Sequence, residues 1–246
     1  MEFKKTKIVI PMRILHFKEW YRFKASLGSL PFDVLEWRID ILKESQPTAF
    51  EAVIRDFQTT FPEKELMITY RTEKREVNEE EKKKREEVYT YLLTQPLNYI
   101  DVEYSFIAEH LPLWGEWPKE HLLVSTHLYG EEAKQRVAIG SELLELEPKQ
   151  IKMAVDPLGL SQDTDWLLLE QERWTQAEIP FSLMVMQDCG KWSRALAPEL
   201  EEQFVYASVG SCCREEGQFT ANEMKQIEEE LWQRRKKFKK QTQCDN

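Results

Sequence analysis

The sequence predicts an α/β fold: a (β/α)8 TIM barrel, formed as a single domain over residues 1–240, with residues 241–246 as a frayed C-terminal tail. Eight short apolar runs recur about one βα unit apart, and polar segments with a 3.6-residue period lie between them. Strands that alternate with helices form a parallel sheet, and eight such units close into a barrel. An open doubly wound sheet is the alternative, although neither G-x-G-x-x-G nor GxxxxGK[ST] follows any of the runs.

The elements follow from local patterns. The predicted strands are 7–11 (KIVIP), 33–40 (DVLEWRID), 65–72 (ELMITYRT), 99–104 (YIDVEY), 121–127 (HLLVSTH), 150–155 (QIKMAV), 180–186 (PFSLMVM) and 204–210 (FVYASVG). Helices are predicted for 46–61, 78–93 and 131–146 and from Thr220 onward. The segment 78–93 has many Glu–Lys/Arg pairs four residues apart, which is typical of a solvated helix. Thr220 is the expected N-cap of the last helix, because its hydroxyl can accept a hydrogen bond from a free backbone N–H.

The composition argues against several classes of function. The formal net charge of −10 argues against a nucleic-acid partner, although clustered arginines could still attract a small anion to one cleft. No run of about 18 apolar residues occurs to span a membrane, and Pro11 interrupts the first apolar run, unlike a signal peptide. The 4 cysteines form no CxxC pair and no zinc spacing, which favours reduced thiols in a cytoplasmic protein.

Polar side chains share one face of five consecutive strands. Successive side chains on a strand point to opposite sides, so Glu36, Arg38 and Asp40 lie opposite Leu35, Trp37 and Ile39. The same alternation places on one face Thr69, Arg71, Asp101, Glu103, Ser125, His127 and Lys152. In a barrel this face is the mouth, where barrel enzymes carry their chemistry. An antiparallel sheet with one solvated face gives the same alternation, but the intervening helices argue against it.

Lys152 interrupts an otherwise apolar run, and a lysine is rarely buried without a partner or a task. Inside a barrel beside Arg38 and Arg71, burial and neighbouring positive charge would favour its neutral, nucleophilic form. Lys152 is therefore a candidate for Schiff-base chemistry with a ketone. Among the 4 histidines, His127 alone occupies a predicted inward strand position, and imidazole is the usual proton shuttle near neutral pH.

Six motifs occur in one order between about Lys7 and Gln218: LEWRID, ITYRT, YIDVE, STH, IKMAV and the G-x-x-SR of CGKWSR. Together they resemble the type I 3-dehydroquinate dehydratases, (β/α)8 enzymes of the shikimate pathway that act through a lysine imine. The resemblance implies that Lys152 forms the imine with the C3 ketone of 3-dehydroquinate. It also implies that His127 takes the C2 proton, protonates the departing C1 hydroxyl, and assists the formation and hydrolysis of the imine.

The resemblance further implies the substrate contacts. Arg194 would bind the substrate carboxylate, which suits a planar guanidinium. The ring hydroxyls would be held by Glu36, Arg38 and Arg71, and the site would be closed by Gln218. Met184 and Met186 would lie beside the ring or simply fill the barrel, and Asp101 and Glu103 are supporting candidates. The implied partner is one small anionic cyclic hydroxy-ketone carboxylate, with no metal or organic cofactor, and the implied assembly is a homodimer.

Three loops depart from the family pattern. Arg75 replaces the glutamate that orients the histidine in the family, and Glu73 and Glu76 lie near this position in the sequence but not at it. Leu128-Tyr129 replaces the Asp-Phe that follows the histidine. Arg214 replaces the serine of the closing loop. Two alternatives therefore stay open. One is another Schiff-base barrel, such as a class I aldolase, which would want more glycines after strands seven and eight. The other is a non-catalytic relative that binds a shikimate-like ligand or a protein partner, which the retained Lys152 and His127 oppose.

Overall fold

The computed structural model describes residues 5–43, 47–71, 79–210 and 216–244, with side chains except at 47–49 and 238–244. All eight predicted strands are present: β1 Lys7–Met12, β2 Val34–Arg38, β3 Glu65–Thr69, β4 Tyr99–Glu103, β5 Leu122–Leu128, β6 Gln150–Val155, β7 Phe181–Val185 and β8 Phe204–Ser208. A two-residue strand, β9 Phe219–Thr220, pairs with β8. Every pairing is parallel, so the antiparallel alternative is wrong.

The sheet follows the order of a barrel, β7-β6-β5-β4-β3-β2-β1-β8-β9. The ring closes where β7 meets β8, through the Gln203 N–H that donates to the Phe181 carbonyl at 2.8 Å. Side chains complete this seam: the Phe204 N–H donates to Ser182 Oγ at 3.1 Å, and the Leu183 N–H donates to Glu202 Oε2 at 2.9 Å. The (β/α)8 prediction is therefore confirmed, and the open doubly wound alternative is wrong.

Nine α-helices pack around the described part of the sheet: α1 Trp20–Leu27, α2 Pro47–Thr60, α3 Glu79–Leu92, α4 Tyr104–Glu109, α5 Leu111–Glu116, α6 Arg136–Glu145, α7 Leu160–Gln176, α8 Lys191–Leu196 and α9 Ala221–Cys244. The helix predicted for 131–146 begins as a 3-10 helix, Gly130–Gln135, before it continues as α6. Since α9 reaches Cys244, it includes part of the segment expected to fray, and fraying stays a prediction. None of the helices in the described ranges is both long enough and apolar enough to cross a membrane.

The N-terminus of α9 confirms the predicted cap. The Glu223 N–H donates to Thr220 Oγ1 at 3.2 Å, and the Thr220 N–H donates to Glu223 Oε2 at 2.7 Å. This reciprocal pair is a capping box, which satisfies two backbone donors that the first helical turn leaves open. The cap sets where the chain enters α9, directly after β9.

The core has two layers that follow the strand alternation. Between sheet and helices lie large buried aromatic residues, including Trp20, Trp37 and Trp174. The barrel interior holds a separate apolar cluster that includes Val34, Met67, Tyr99, Leu123, Phe204 and Tyr206. On four strands an apolar inward residue is followed two positions later by a polar one: Val34 by Glu36, Met67 by Thr69, Tyr99 by Asp101 and Leu123 by Ser125. The barrel floor is therefore apolar, and the polar groups gather towards its C-terminal mouth.

Candidate active site

A cavity of about 860 Å³ opens at the C-terminal ends of the strands. The sequence analysis identified eleven candidate site residues, and ten of them line this cavity: Glu36, Arg38, Arg71, Glu103, His127, Lys152, Met184, Met186, Arg194 and Gln218. The eleventh, Asp101, is fully buried beneath the cavity and reaches Lys152. The structure thus brings together side chains from five strands, from the loops after β3, β7 and β8, and from α8, within a volume that suits a small ligand.

Lys152 sits at the base of the cavity, with its side chain only 4% exposed. Its Nζ lies 3.2 Å from Glu36 Oε1 and 3.5 Å from Asp101 Oδ2. It also lies 3.8 Å from the centroid of the Tyr206 ring, a favourable position for a cation. The sequence suggested arginines as its neighbours, whereas the amine is in direct contact with two carboxylates and an aromatic face.

Glu36 is held in its ionised form by the positive charge around it. Burial by itself would raise the pKa of Glu36, but the charges of Lys152, Arg71 and Arg38 lower that pKa below its usual value. The hydroxyl of Thr69 donates to Glu36 Oε1 at 2.9 Å and stabilises the same form. Glu36 therefore presents a fixed negative charge to the lysine amine.

His127 lies closer to the barrel mouth than Lys152 does. The register of β5 and β6 places Ser125 beside Lys152, and His127 follows two residues later on the same face. Burial, and then the charges of Arg71, Lys152 and Arg38, lower the pKa of His127 well below its usual value. The ring is therefore neutral and able to accept a proton. Its buried Nδ1 has no hydrogen-bond partner among the described residues. Arg75, which stands in the sequence where the family has its orienting glutamate, lies outside the described residues together with Glu73 and Glu76.

The arginines differ in how firmly they are held. Asp40 accepts two hydrogen bonds from Arg38, at 2.8 Å from Nε and 2.7 Å from Nη2, which locks that guanidinium in place. Arg71 is held more loosely, since its Nε lies 3.8 Å from Glu103 Oε1. Its Nε and Nη2 are buried, and within the described ranges they make no hydrogen bond. Because Arg71 also lines the cavity, a bound ligand is a possible acceptor for its guanidinium donors.

The loop after β8 approaches the turn after β7 closely, which requires a glycine. Gly217 has φ +76°, and a Cβ there would lie 2.1 Å from the carbonyl oxygen of Gln187. The Gly217 N–H donates to Asp188 Oδ1 at 2.8 Å. This contact buries the neighbouring Gln218 to 4% exposure and places it in the cavity, next to Arg194 of α8. Arg194 donates from Nη1 to the Val185 carbonyl at 2.9 Å. Arg214, in the same loop, lies outside the described residues.

Tyr206 and Arg85 are among the lining residues that the reasoning from sequence did not identify. Tyr206 lies two residues after Phe204 on the inward face of β8, so strand alternation could have identified it. Arg85 comes from the strongly charged α3, yet its side chain is only 4% exposed. Its position four residues before the buried Tyr89 and seven before the buried Leu92 is the periodic signal that could have revealed it.

Comparison with known proteins decides the family. Residues 15–233 match the family described as type I 3-dehydroquinase. The chain belongs to this family. A 3-dehydroquinate dehydratase from Streptococcus pyogenes (serotype M5, strain Manfredo) is 25% identical over 228 residues, which cover 92% of this chain and 97% of that protein. This family membership confirms the resemblance and makes the chain a dehydratase, a class of lyase, rather than an aldolase.

Solved structures agree on the fold. The type I 3-dehydroquinate dehydratase of Clostridium difficile, described with covalently modified comenic acid, superposes with a TM-score of 0.78 at 18% identity and covers 93% of this chain and 94% of its own. The 3-dehydroquinate dehydratase of Geobacillus kaustophilus superposes at 0.76, also at 18% identity, with 93% and 92% covered. Within the described ranges, no group of three or more His, Cys, Asp or Glu residues is arranged to hold a metal ion.

Proposed function

We propose that this dehydratase converts 3-dehydroquinate to 3-dehydroshikimate and water through an imine on Lys152, with His127 as the general base and acid. The observation that carries the proposal is the juxtaposition of a buried lysine amine with two carboxylates and a neutral histidine in one cavity. Membership of the type I 3-dehydroquinase family supplies the substrate.

The first step forms the imine. A lysine must lose a proton before its nitrogen can attack the C3 carbonyl, and Asp101, whose Oδ2 lies 3.5 Å from Lys152 Nζ, is placed to accept it. Attack and loss of water then give a protonated imine. This cation occupies the place of the original ammonium, so the two carboxylates and the Tyr206 ring stabilise it in turn.

The second stage moves protons at the ring. The protonated imine draws electrons from C2, and His127, which is neutral, takes the C2 proton to give an enamine. The enamine expels the C1 hydroxyl, to which the now protonated His127 returns a proton, so that water leaves. Hydrolysis of the resulting conjugated imine consumes one water, releases 3-dehydroshikimate and restores the Lys152 amine.

The remaining cavity residues would orient the substrate. Arg194 and Arg71 offer guanidinium donors to the substrate carboxylate and hydroxyls, and Arg38 adds a charge that Asp40 holds in position. Gln218 would cover the ring from the loop after β8, and Met184 and Met186 would contact its apolar face. Although the chain has a net charge of −10 and carboxylates also line the cavity, five arginines there can attract a substrate carboxylate locally: Arg13, Arg38, Arg71, Arg85 and Arg194.

The deciding experiment is borohydride reduction in the presence of 3-dehydroquinate, followed by peptide mass spectrometry, with a turnover assay beside it. We expect a stable adduct on the peptide that contains Lys152, together with formation of 3-dehydroshikimate. Folded protein that gives neither adduct nor product would overturn the proposal. If such protein still bound shikimate in a calorimetric titration, the hypothesis that the chain is a non-catalytic relative would be supported.

The depressed pKa of His127 predicts the shape of the pH profile. Because the neutral ring is the base, kcat/KM should stay level as the pH falls through about 6.5, where an ordinary histidine gains its proton. The acidic limb should lie below that value. The same sign applies to stability: the unfolded chain takes up this proton near pH 6.5 and the folded chain does not, so the contribution of His127 to stability is lost as the pH falls below about 6.5. An acidic limb centred at the ordinary histidine value would contradict this environment for His127.

We further propose that the protein acts as a homodimer in the cytoplasm. Family resemblance supports the dimer, and the exposed free thiol of Cys189 is compatible with a reducing compartment. Light scattering on the eluted protein should give twice the 29.4 kDa mass of one chain. A mass equal to that of one chain across the micromolar range would show that the protein is a monomer.

A further inference from the structure

Arg85 is an exception within its helix. The structure describes α3 throughout, and among its basic residues Arg85 alone is buried, while Lys83 and Lys84 are exposed. Its guanidinium carbon lies 4.8 Å from the centroid of the Phe106 ring. A cation placed this deeply costs free energy unless a neighbouring anion compensates it. Arg85 also lines the cavity, so its charge lies beside the substrate space.

Among the described residues, the carboxylate that pairs with Arg85 is Glu103, which two arginines share. Arg85 Nη2 lies 3.2 Å from Glu103 Oε2, and Arg71 Nε lies 3.8 Å from the other oxygen, Oε1. All three side chains are largely buried, at 4% exposure for Arg85 and 14% for both Arg71 and Glu103. Of these three side chains two are cationic and one is anionic, so the three together carry one net positive charge in a setting where solvent screens it weakly.

We propose that Arg85 is a positioning residue for substrate binding: by partnering Glu103, it leaves the guanidinium of Arg71 available to the anionic substrate. The inference rests on the proposed function. The shorter contact belongs to Arg85, so Glu103 holds Arg71 only by a long ion pair. Without Arg85, Glu103 would draw Arg71 into a closer pair, and the cluster would lose its net positive charge.

A purely structural role must be separated from this one, since Arg85 also packs on Phe106. The variant Arg85→Met keeps a long apolar stem against the ring and removes the charge. The variant Arg85→Lys keeps the charge but not the guanidinium fork. Lys83→Met removes the same charge from an exposed position on the same helix and is the matched control.

The experiment measures kcat and KM for 3-dehydroquinate, with thermal unfolding of each variant. We expect Arg85→Met to raise KM about tenfold with kcat within about twofold, because the lost interaction serves binding before the chemical steps. Arg85→Lys should give an intermediate KM, and Lys83→Met should match the parent protein. In a Glu103→Gln background no anion needs compensation, so adding Arg85→Met should change KM by less than about twofold.

The possible outcomes distinguish failure of the proposed function from failure of the inference about Arg85. A parent protein that gives neither turnover nor borohydride adduct would remove the proposed function and this inference with it. An active parent for which Arg85→Met leaves KM unchanged would overturn the inference alone. Equal effects of Arg85→Met with and without Glu103→Gln would also overturn it, since a role in packing does not depend on the Glu103 charge. If Arg85→Met fails to fold, Arg85→Lys decides: a KM equal to that of the Lys83→Met control would overturn the inference.

Discussion

Replacement of Lys152 by alanine should abolish turnover of 3-dehydroquinate, with a fall in kcat on the order of 10⁶-fold, the size found when a covalent nucleophile is removed. Among the described lysines, Lys152 alone has its Nζ in contact with both Glu36 and Asp101, so we expect no second amine to take over the imine. Borohydride trapping should fail in the same variant. Retained turnover, or an adduct that persists on another residue, would rule out the mechanism.

The structure adds a complication to this test, because Lys152 compensates two buried carboxylates. Removing one partner of a buried ion pair typically costs about 3–5 kcal/mol, so Lys152→Ala is expected to unfold more readily than the parent protein. The variant Lys152→Arg keeps a cation beside Glu36 and Asp101 but has no amine that forms an imine. A folded Lys152→Arg protein without turnover therefore separates loss of chemistry from loss of structure. Lys149→Ala, three residues earlier in the chain, is the control and should remain active and trappable.

Replacement of His127 by alanine should slow both the proton transfers at the ring and the hydrolysis of the imine. We expect a fall in kcat of about 10²–10⁴-fold, the usual contribution of a general acid–base group. Imine formation should survive in part, because Lys152 and its carboxylates are unchanged. The covalent adduct should therefore accumulate, and intact-protein mass spectrometry after borohydride reduction should show a larger modified fraction than in the parent protein.

The substitution His127→Ala should disturb few hydrogen bonds among the described residues. The pKa of the ring is lowered, which favours its uncharged form, and its Nδ1 makes no hydrogen bond to the residues that the structure describes, so its loss leaves none of those residues without a partner for Nδ1. His121→Ala is the matched control, since His121 is exposed at the start of the same strand region. Normal turnover by His127→Ala would mean that another group moves the protons. Loss of turnover without accumulated adduct would place His127 in imine formation rather than in its hydrolysis.

Most of the architecture could be predicted from local patterns. Eight apolar runs of strand length, separated by helical segments, were sufficient for a parallel barrel, because only a helical crossover returns the chain to start a parallel neighbour. The cap at Thr220 follows from four adjacent residues, and the structure contains it. Strand ends were less predictable: β3 ends at Thr69, so Arg71 reaches the cavity from the loop that follows and not from the strand. Pairing with the neighbouring strands sets such ends, and the local sequence does not contain that information.

The sequence by itself determined which side chains face the barrel interior, since strand alternation depends only on the backbone period. The sequence therefore identified Lys152, His127 and the carboxylates as candidate site residues without any knowledge of distances. Only the tertiary structure decided how these groups pair. Lys152 and Glu36 are 116 positions apart, and their 3.2 Å contact exists because the strands curl into a ring and bring opposite walls together. The same curvature sets Arg85 of α3 beside Glu103 of β4 and Tyr206 of β8 beneath the amine. An ion pair requires its two groups to lie within a few ångströms of each other, and closure of the barrel brings together residues that are far apart in the sequence.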